Sequence, residues 1–116
     1  IQYNSKVPEA AERYAEIAKF IGLKGKTTDE LVKALVKELR HMNDELKIPL
    51  AIKNYGEGGV IADKSIIDEK EFNDKLKTVA ALAISDACTG SNPRQPSQED
   101  MEKLLTAVYY DKDIDF

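Results

Sequence analysis

Apolar residues recur every three to four positions along almost the whole chain, and no stretch of four or more alternates cleanly in the manner of a strand. That periodicity predicts an all-α fold. A first helix is predicted after Pro8, which suits a first helical turn because it has no N–H to leave unpaired, and it should end near Gly22. Ala10, Tyr14, Ile17 and Ile21 share one face, widened by Ala11, Ala15 and Ala18, while Glu9, Glu12, Arg13, Glu16 and Lys19 point away. Thr27 with Glu30 three positions on is a capping-box signal for a second helix. Its core stripe reads Leu31, Leu35, Leu39, Met42 and Leu46, flanked by Val32 and Val36, with Pro49 as its stop.

The stretch IPLAIKNYGEGGVIADKS predicts a short helical turn and then a glycine-broken loop. Asp68 with Glu71 opens a third helix through Phe72, Leu76, Val79, Ala80, Ala83 and Ala87. Ser97 with Asp100 opens a fourth through Met101, Leu104, Leu105, Val108 and Tyr109, and YYDKDIDF is expected to fray. The reading is therefore a bundle of four main helices with a short helical turn in the middle. Within the third helix, EKEFNDKLKT is amphipathic but VAALAISDAC is apolar nearly all round. Such a helix is normally buried on every side, and three short amphipathic neighbours would struggle to cover it, so part of its surroundings is expected to lie outside this chain.

Composition narrows the classes. At 116 residues, 42% hydrophobic and 33% charged, the chain suits one domain with a modest core. Its single cysteine cannot form an internal disulfide, which favours a reducing cytoplasm. No apolar run approaches the roughly 18 residues of a membrane span, and a net charge of −4 argues against a nucleic-acid surface. The opening IQYNSKVPEAAERY has neither a signal-peptide pattern nor a methionine, so the sequence is expected to begin mid-protein.

Few residues offer chemistry. His41 lies on the second helix among Lys37, Glu38, Asp44 and Glu45, away from the leucine stripe, and reads as a solvated histidine. The glycines of NYGEGGV do not follow the spacing of a dinucleotide fingerprint and read as a turn. Most helical carboxylates stand beside lysines on solvent faces. Asp86 differs, since it falls in the apolar half of the third helix; it is either a functional group in a polar cavity or a helix-end residue bonded to the loop that follows. Cys88, where the helix pattern gives way to glycine, asparagine and two prolines, is either a small buried hydrophobe or part of a site.

Beyond that point a resemblance carries further. ISDACTGSNPRQPSQEDMEKLLTAVYY resembles the C-terminal segment of the iron-containing alcohol dehydrogenases, where Asp-x-Cys-Thr-Gly-x-Asn-Pro-Arg leads through a Pro-Ser/Thr link into the final helix. The matching residues are Asp86, Cys88, Thr89, Gly90, Asn92, Pro93, Arg94 and Pro96. Upstream, VPEAAERYAEIAKFIGL is similar to the family's Ala-x-x-Arg-Tyr segment, LKIPLAIKNYG to its Ile-Pro element, and IQYN to the segment that closes a preceding helix.

The resemblance implies that residues 1–116 are the C-terminal portion of the helical, metal-binding domain of a dehydroquinate synthase-like, iron-type alcohol dehydrogenase fold. It implies a divalent metal, iron or zinc, that polarises the substrate oxygen while hydride moves to or from NAD(P), in an enzyme interconverting alcohols and aldehydes or ketones. The implied partners are the remainder of the enzyme and a small alcohol or aldehyde; a homo-oligomer is left open. The family's metal ligands and cofactor loop lie before this sequence begins, so no metal or cofactor residue is assigned and the segment alone should be inactive. Cys88 is implied to be a wall of the substrate pocket, delivered by a corner of Asp86, Thr89, Gly90, Asn92, Pro93 and Arg94. Gly90 is expected in a left-handed conformation and Pro93 to keep the helix from resuming. Arg94 is expected either to brace Asp86 or a partner carboxylate as a fork or to stand exposed. The alternative function is a free-standing helical interaction module that reuses the fold without catalysis.

Overall fold

The computed structural model describes residues 1–63 and 65–116. It contains four α-helices, α1 (Pro8–Phe20), α2 (Thr28–Glu45), α3 (Glu69–Ser85) and α4 (Gln98–Tyr110), with 3₁₀ turns at Asn4–Lys6, Ile52–Asn54, Glu57–Gly59 and Thr89–Ser91. Among the described residues there is no strand, only one isolated antiparallel bridge between Tyr55 and Ile61. The helices pack as two hairpins, α1 on α2 and α3 on α4.

Each helix start is a local chemical event. Thr27 Oγ1 accepts from the Glu30 N–H at 3.1 Å, Asp68 Oδ1 from the Glu71 N–H at 2.8 Å, and Ser97 Oγ from the Asp100 N–H at 3.0 Å, each satisfying an N–H that the helix cannot. Only α4 completes the reciprocal box, with Asp100 accepting from the Ser97 N–H. The Glu30 carboxylate instead takes the Lys26 N–H at 2.6 Å, so the expected box at α2 is half formed. Helix ends differ more from expectation. Gly22, at φ +86°, closes α1 with bonds from the Gly22 N–H to the Lys19 carbonyl and from the Leu23 N–H to the Ala18 carbonyl, the arrangement for which glycine is favoured. The same pair of bonds ends α2 around left-handed Lys47, so the helix stops four residues before Pro49 without needing it.

In the first hairpin Ala15 and Ala18 meet Leu31 and Leu35, with Tyr14 and Leu23 packed against them. The buried face of α1 is its alanine face, because small side chains let the axes approach; Ile17 and Ile21, expected inside, are half exposed. The predicted α2 stripe likewise splits. Leu31, Val32 and Leu35 are buried, whereas Leu39, Met42 and Leu46 lie exposed. In the second hairpin the Phe72 and Tyr109 rings stack at 4.1 Å, the Tyr109 hydroxyl donates to the Ile67 carbonyl, and Ala80 is wholly buried. With one neighbour, α3 has one covered face; Val79 and Leu82 on its other sides are exposed.

The hairpins are tied by the chain's two ends. Arg40 of α2 pairs with Asp111 just past α4, Gln2 donates to Asp113, and the Ile114 N–H donates to Gln2 Oε1. Phe116 meets the Tyr3 ring edge-on at 5.9 Å. The tail expected to fray is therefore pinned, since its alternating apolar residues and aspartates find partners on residues 1–6. The result is open: a radius of gyration of 15.6 Å exceeds the ~13 Å of a compact chain of about this length, and Phe20 is 92% exposed.

The split stripe makes a stability contrast. Leu35→Ala should destabilise by about 2–5 kcal/mol, and Leu46→Ala, 65% exposed, by no more than about 0.5 kcal/mol. Urea unfolding of the two variants measures this, and equal losses would mean that α2 is buried along its whole length.

Candidate functional site

The corner between α3 and α4 is built almost entirely from side chains bonded to nearby backbone. Asp86 leaves the helical region at ψ 134° and its Oδ1 accepts the Cys88 N–H at 2.8 Å, an Asx turn. The helix thus ends at Ser85 rather than running through Ala87, and Asp86 is the loop-bonded residue of the two readings. Thr89 Oγ1 donates back to the Ala83 carbonyl at 2.6 Å, satisfying a carbonyl orphaned at the helix end, and Ser91 Oγ donates to the Cys88 carbonyl at 2.8 Å. Gln95 Nε2 donates to the carbonyls of Gly90 and Asn92. Gly90 lies inside the 3₁₀ turn and is not left-handed; a Cβ there would meet nothing within 4 Å. The Asx turn at Asp86 reverses the chain before Gly90 is reached. Asn92 is extended at ψ 135°, as the residue before Pro93 must be.

Cys88 emerges exposed from this corner. With Thr89 and Asn92 it borders a cleft of about 370 Å³ whose other side is formed by Tyr3, Asn4, Met101 and Leu104. Asn4 and Asn92 exchange amide hydrogen bonds at 2.8 and 2.9 Å across it. Arg94 does not reach Asp86 and is not a free surface cation. Its Nη1 donates to the Tyr3 carbonyl at 3.2 Å and the Phe116 carbonyl at 2.7 Å, and its guanidinium lies 3.9 Å from the Tyr3 ring centroid, a stacking contact worth about 0.5–2 kcal/mol.

The Tyr3 hydroxyl in turn donates to Asp100 Oδ2 at 3.0 Å. Burial, and then the bond to Asp100, push the Tyr3 phenol up. For Asp100, desolvation works upward but is outweighed: the Tyr3 hydroxyl, the Ser97 N–H and hydroxyl, and the Arg94 charge together hold its carboxyl below the usual aspartate range.

The arrangement shapes a cleft, and the Asp86 carboxylate beside Cys88 is taken up by the backbone N–H of that residue. His41 sits on exposed α2, 3.5 Å from Glu45. Among the described residues no three His, Cys, Asp or Glu side chains converge as a metal site, so these residues do not fit the metal that the family implies. A larger cleft of about 800 Å³ between α2 and the tail is lined by charges such as Lys33, Asp29, Arg40 and Asp111, which pair with one another. Sequence reasoning missed Tyr3, Asn4 and Phe116 as members of the corner because Tyr3 and Asn4 lie 88 to 97 residues from their corner and α4 partners; the only sequence signal was IQYN itself. No helix among the described residues is long and apolar enough to cross a membrane.

Comparison with known proteins adds the following. The sequence model described as "Fe-containing alcohol dehydrogenase family, C-terminal" matches residues 1–109. The chain is 42% identical over its whole length to the NADPH-dependent butanol dehydrogenase of Clostridium saccharobutylicum, of which it covers 27%. It is 33% identical over 99 residues, 85% of this chain and 10% of the relative, to the aldehyde-alcohol dehydrogenase of Clostridium acetobutylicum. The bifunctional aldehyde-alcohol dehydrogenase of Escherichia coli K12 is 32% identical over 108 residues, 91% of this chain and 11% of the relative. The chain therefore spans about a quarter of the butanol dehydrogenase and about a tenth of the other two.

The Asp100 network makes a pH dependence. Because its carboxyl titrates lower folded than unfolded, Asp100 contributes fully above about pH 4, and the contribution is lost as pH falls from there through the folded value. Asp100→Asn should lower Tm at pH 7 and close the gap to the parent chain on acidification below about pH 4. Thermal unfolding followed by circular dichroism from pH 7 to 2.5 checks this; a gap that is constant with pH would mean that the charge of Asp100 is not what the network holds.

Proposed function

Because the chain belongs to the Fe-containing alcohol dehydrogenase family and matches that family's C-terminal part, we propose that the protein carrying it is a metal-dependent, NAD(P)-linked dehydrogenase interconverting alcohols with aldehydes or ketones. Residues 1–116 serve as the C-terminal portion of its helical domain. The observation that carries the reading is the Cys88 corner: a thiol exposed on a rigid turn, bordering a cleft, within the sequence that resembles the family's Asp-x-Cys-Thr-Gly-x-Asn-Pro-Arg stretch. The metal and the nicotinamide are held by residues outside this chain. Cys88 is a wall of the substrate pocket, since hydride transfer needs no thiolate and the one histidine, His41, sits beside Glu45 on α2 and away from the corner. The name of the butanol dehydrogenase, at 42% identity, favours short linear aldehydes and NADPH for this protein as well, and a single-activity layout over the bifunctional one.

The remainder of the same enzyme is the proposed cover for Phe20, Val79 and Leu82. A self-contained interaction module would be expected to seal such large apolar side chains, and their exposure weighs against that alternative. The isolated chain should accordingly bind a hydrophobic dye or self-associate, and should oxidise no NADPH when given metal and butyraldehyde. A monomeric, dye-silent segment over a wide concentration range would favour the module.

In the full-length enzyme, Cys88→Ser should keep kcat/KM for short aldehydes within about tenfold, roughly 1.4 kcal/mol of barrier, because a wall contact is lost and no proton transfer. Cys88→Phe should impair longer aldehydes more than short ones, and bound nicotinamide should protect the thiol from bulky alkylating reagents. Kinetics over a ladder of aldehyde lengths decide the matter. A loss of several orders of magnitude in a folded, metal-loaded Cys88→Ser enzyme would give the thiol a chemical role instead.

A further inference from the structure

We propose that Asn4 and Asn92 form a positioning pair that sets how the Cys88 corner stands in the cleft, and so tunes substrate length; this rests on the reading of Cys88 as a pocket wall. Each amide has two N–H donors, and all four are used. Asn4 Nδ2 donates to Asn92 Oδ1 at 2.8 Å and to the Tyr14 hydroxyl at 3.3 Å, while Asn92 Nδ2 donates to Asn4 Oδ1 at 2.9 Å and to the Arg94 carbonyl. A partly buried network with every donor engaged has one low-energy arrangement.

The pair is not needed to end α3 or begin α4. Asp86 and Thr89 finish the first and Ser97 with Asp100 starts the second. What the pair does is join segments: Asn4 belongs to the 3₁₀ turn before α1, Tyr14 to α1, and Asn92 to the corner 88 residues from Asn4. From Asn92 to Cys88 runs a single 3₁₀ turn, stiffened by the Ser91 N–H on the Cys88 carbonyl and the Asn92 N–H on the Thr89 carbonyl. A displacement at Asn92 is therefore passed to Cys88 and not absorbed between them. Asn4 acts through Asn92, and both act through the wall they hold in place.

The test is a double-substitution cycle in the full-length, metal-loaded enzyme: Asn4→Ala, Asn92→Ala and both together, each assayed with short and long aldehydes. Each single variant should change the ratio of kcat/KM between long and short aldehydes by about fivefold, in the same direction, since small misplacements of a pocket carry large rate effects. The double variant should match either single one, because breaking a pair twice adds nothing. A merely structural role would lower Tm and leave that ratio unmoved, and direct substrate contact by each amide would make the effects additive; either result overturns the proposal.

Should Asn92→Ala not fold, Asn92→Asp takes its place, retaining the acceptor for Asn4 and removing both donors. An unsubstituted enzyme that reduces no aldehyde would overturn the dehydrogenase reading separately. The pair is then judged by the rate at which a maleimide alkylates Cys88, expected to change about threefold in either single variant and no further in the double. An unchanged rate overturns it.

Discussion

The Arg94 guanidinium joins three parts of the chain that sequence keeps far apart. Lying over the Tyr3 ring while donating to the carbonyls of residues 3 and 116, it binds the beginning, the corner and the end of the chain at one point. Its planar fork is suited to stack and donate together, which a lysine ammonium is not. With Tyr3 held there, its hydroxyl reaches Asp100 and supports the capping box of α4. The corner is thus pinned on one side by α4 and on the other by residues 1–6.

That anchorage explains how a slight fold presents a defined cleft. The two hairpins have small separate interiors, built on alanine and leucine in one and on an aromatic stack in the other. Between them run directed polar contacts: Arg40 with Asp111, Gln2 with Asp113, and Asn4 with Asn92. Hydrogen bonds fix distances and angles but bury little apolar area, so the assembly is ordered yet open. Its large exposed apolar side chains fit a chain that covers 27% of the butanol dehydrogenase it resembles, and the cleft beside Cys88 is one of the shaped parts of that surface.

Element type and starting points were legible from sequence because the forces that set them act within one or two turns. Apolar periodicity marked four helices, and the side chains of Thr27, Asp68 and Ser97 each cap an N–H three residues away, a contact that spacing alone makes available. The corner motif was legible as a pattern resembling a family, and the loop-bonded reading of Asp86 holds because its partner is two residues on. Helix ends were less legible. Lys47 takes a left-handed conformation that its residue type does not announce, and Gly90 does not take the one its type suggested.

What depended on distant partners was decided only by the tertiary structure. The periodicity of apolar residues in α2 runs unbroken through Leu46, but burial stops after Leu35, the last α2 residue in the cluster with Ala15 and Ala18. A tail of aspartates and aromatics reads as free until residues 1–6 are placed beside it. Arg94 donates to no carboxylate fork and finds a ring and two carbonyls instead. Sequence by itself determined the helices, their caps and the family resemblance of the corner, because each rests on neighbours along the chain. Which faces are covered, and what holds the Cys88 corner in place, rest on contacts between residues distant in sequence, such as Arg94 with Tyr3, 91 residues apart, which exist only once the hairpins and both ends have been brought together.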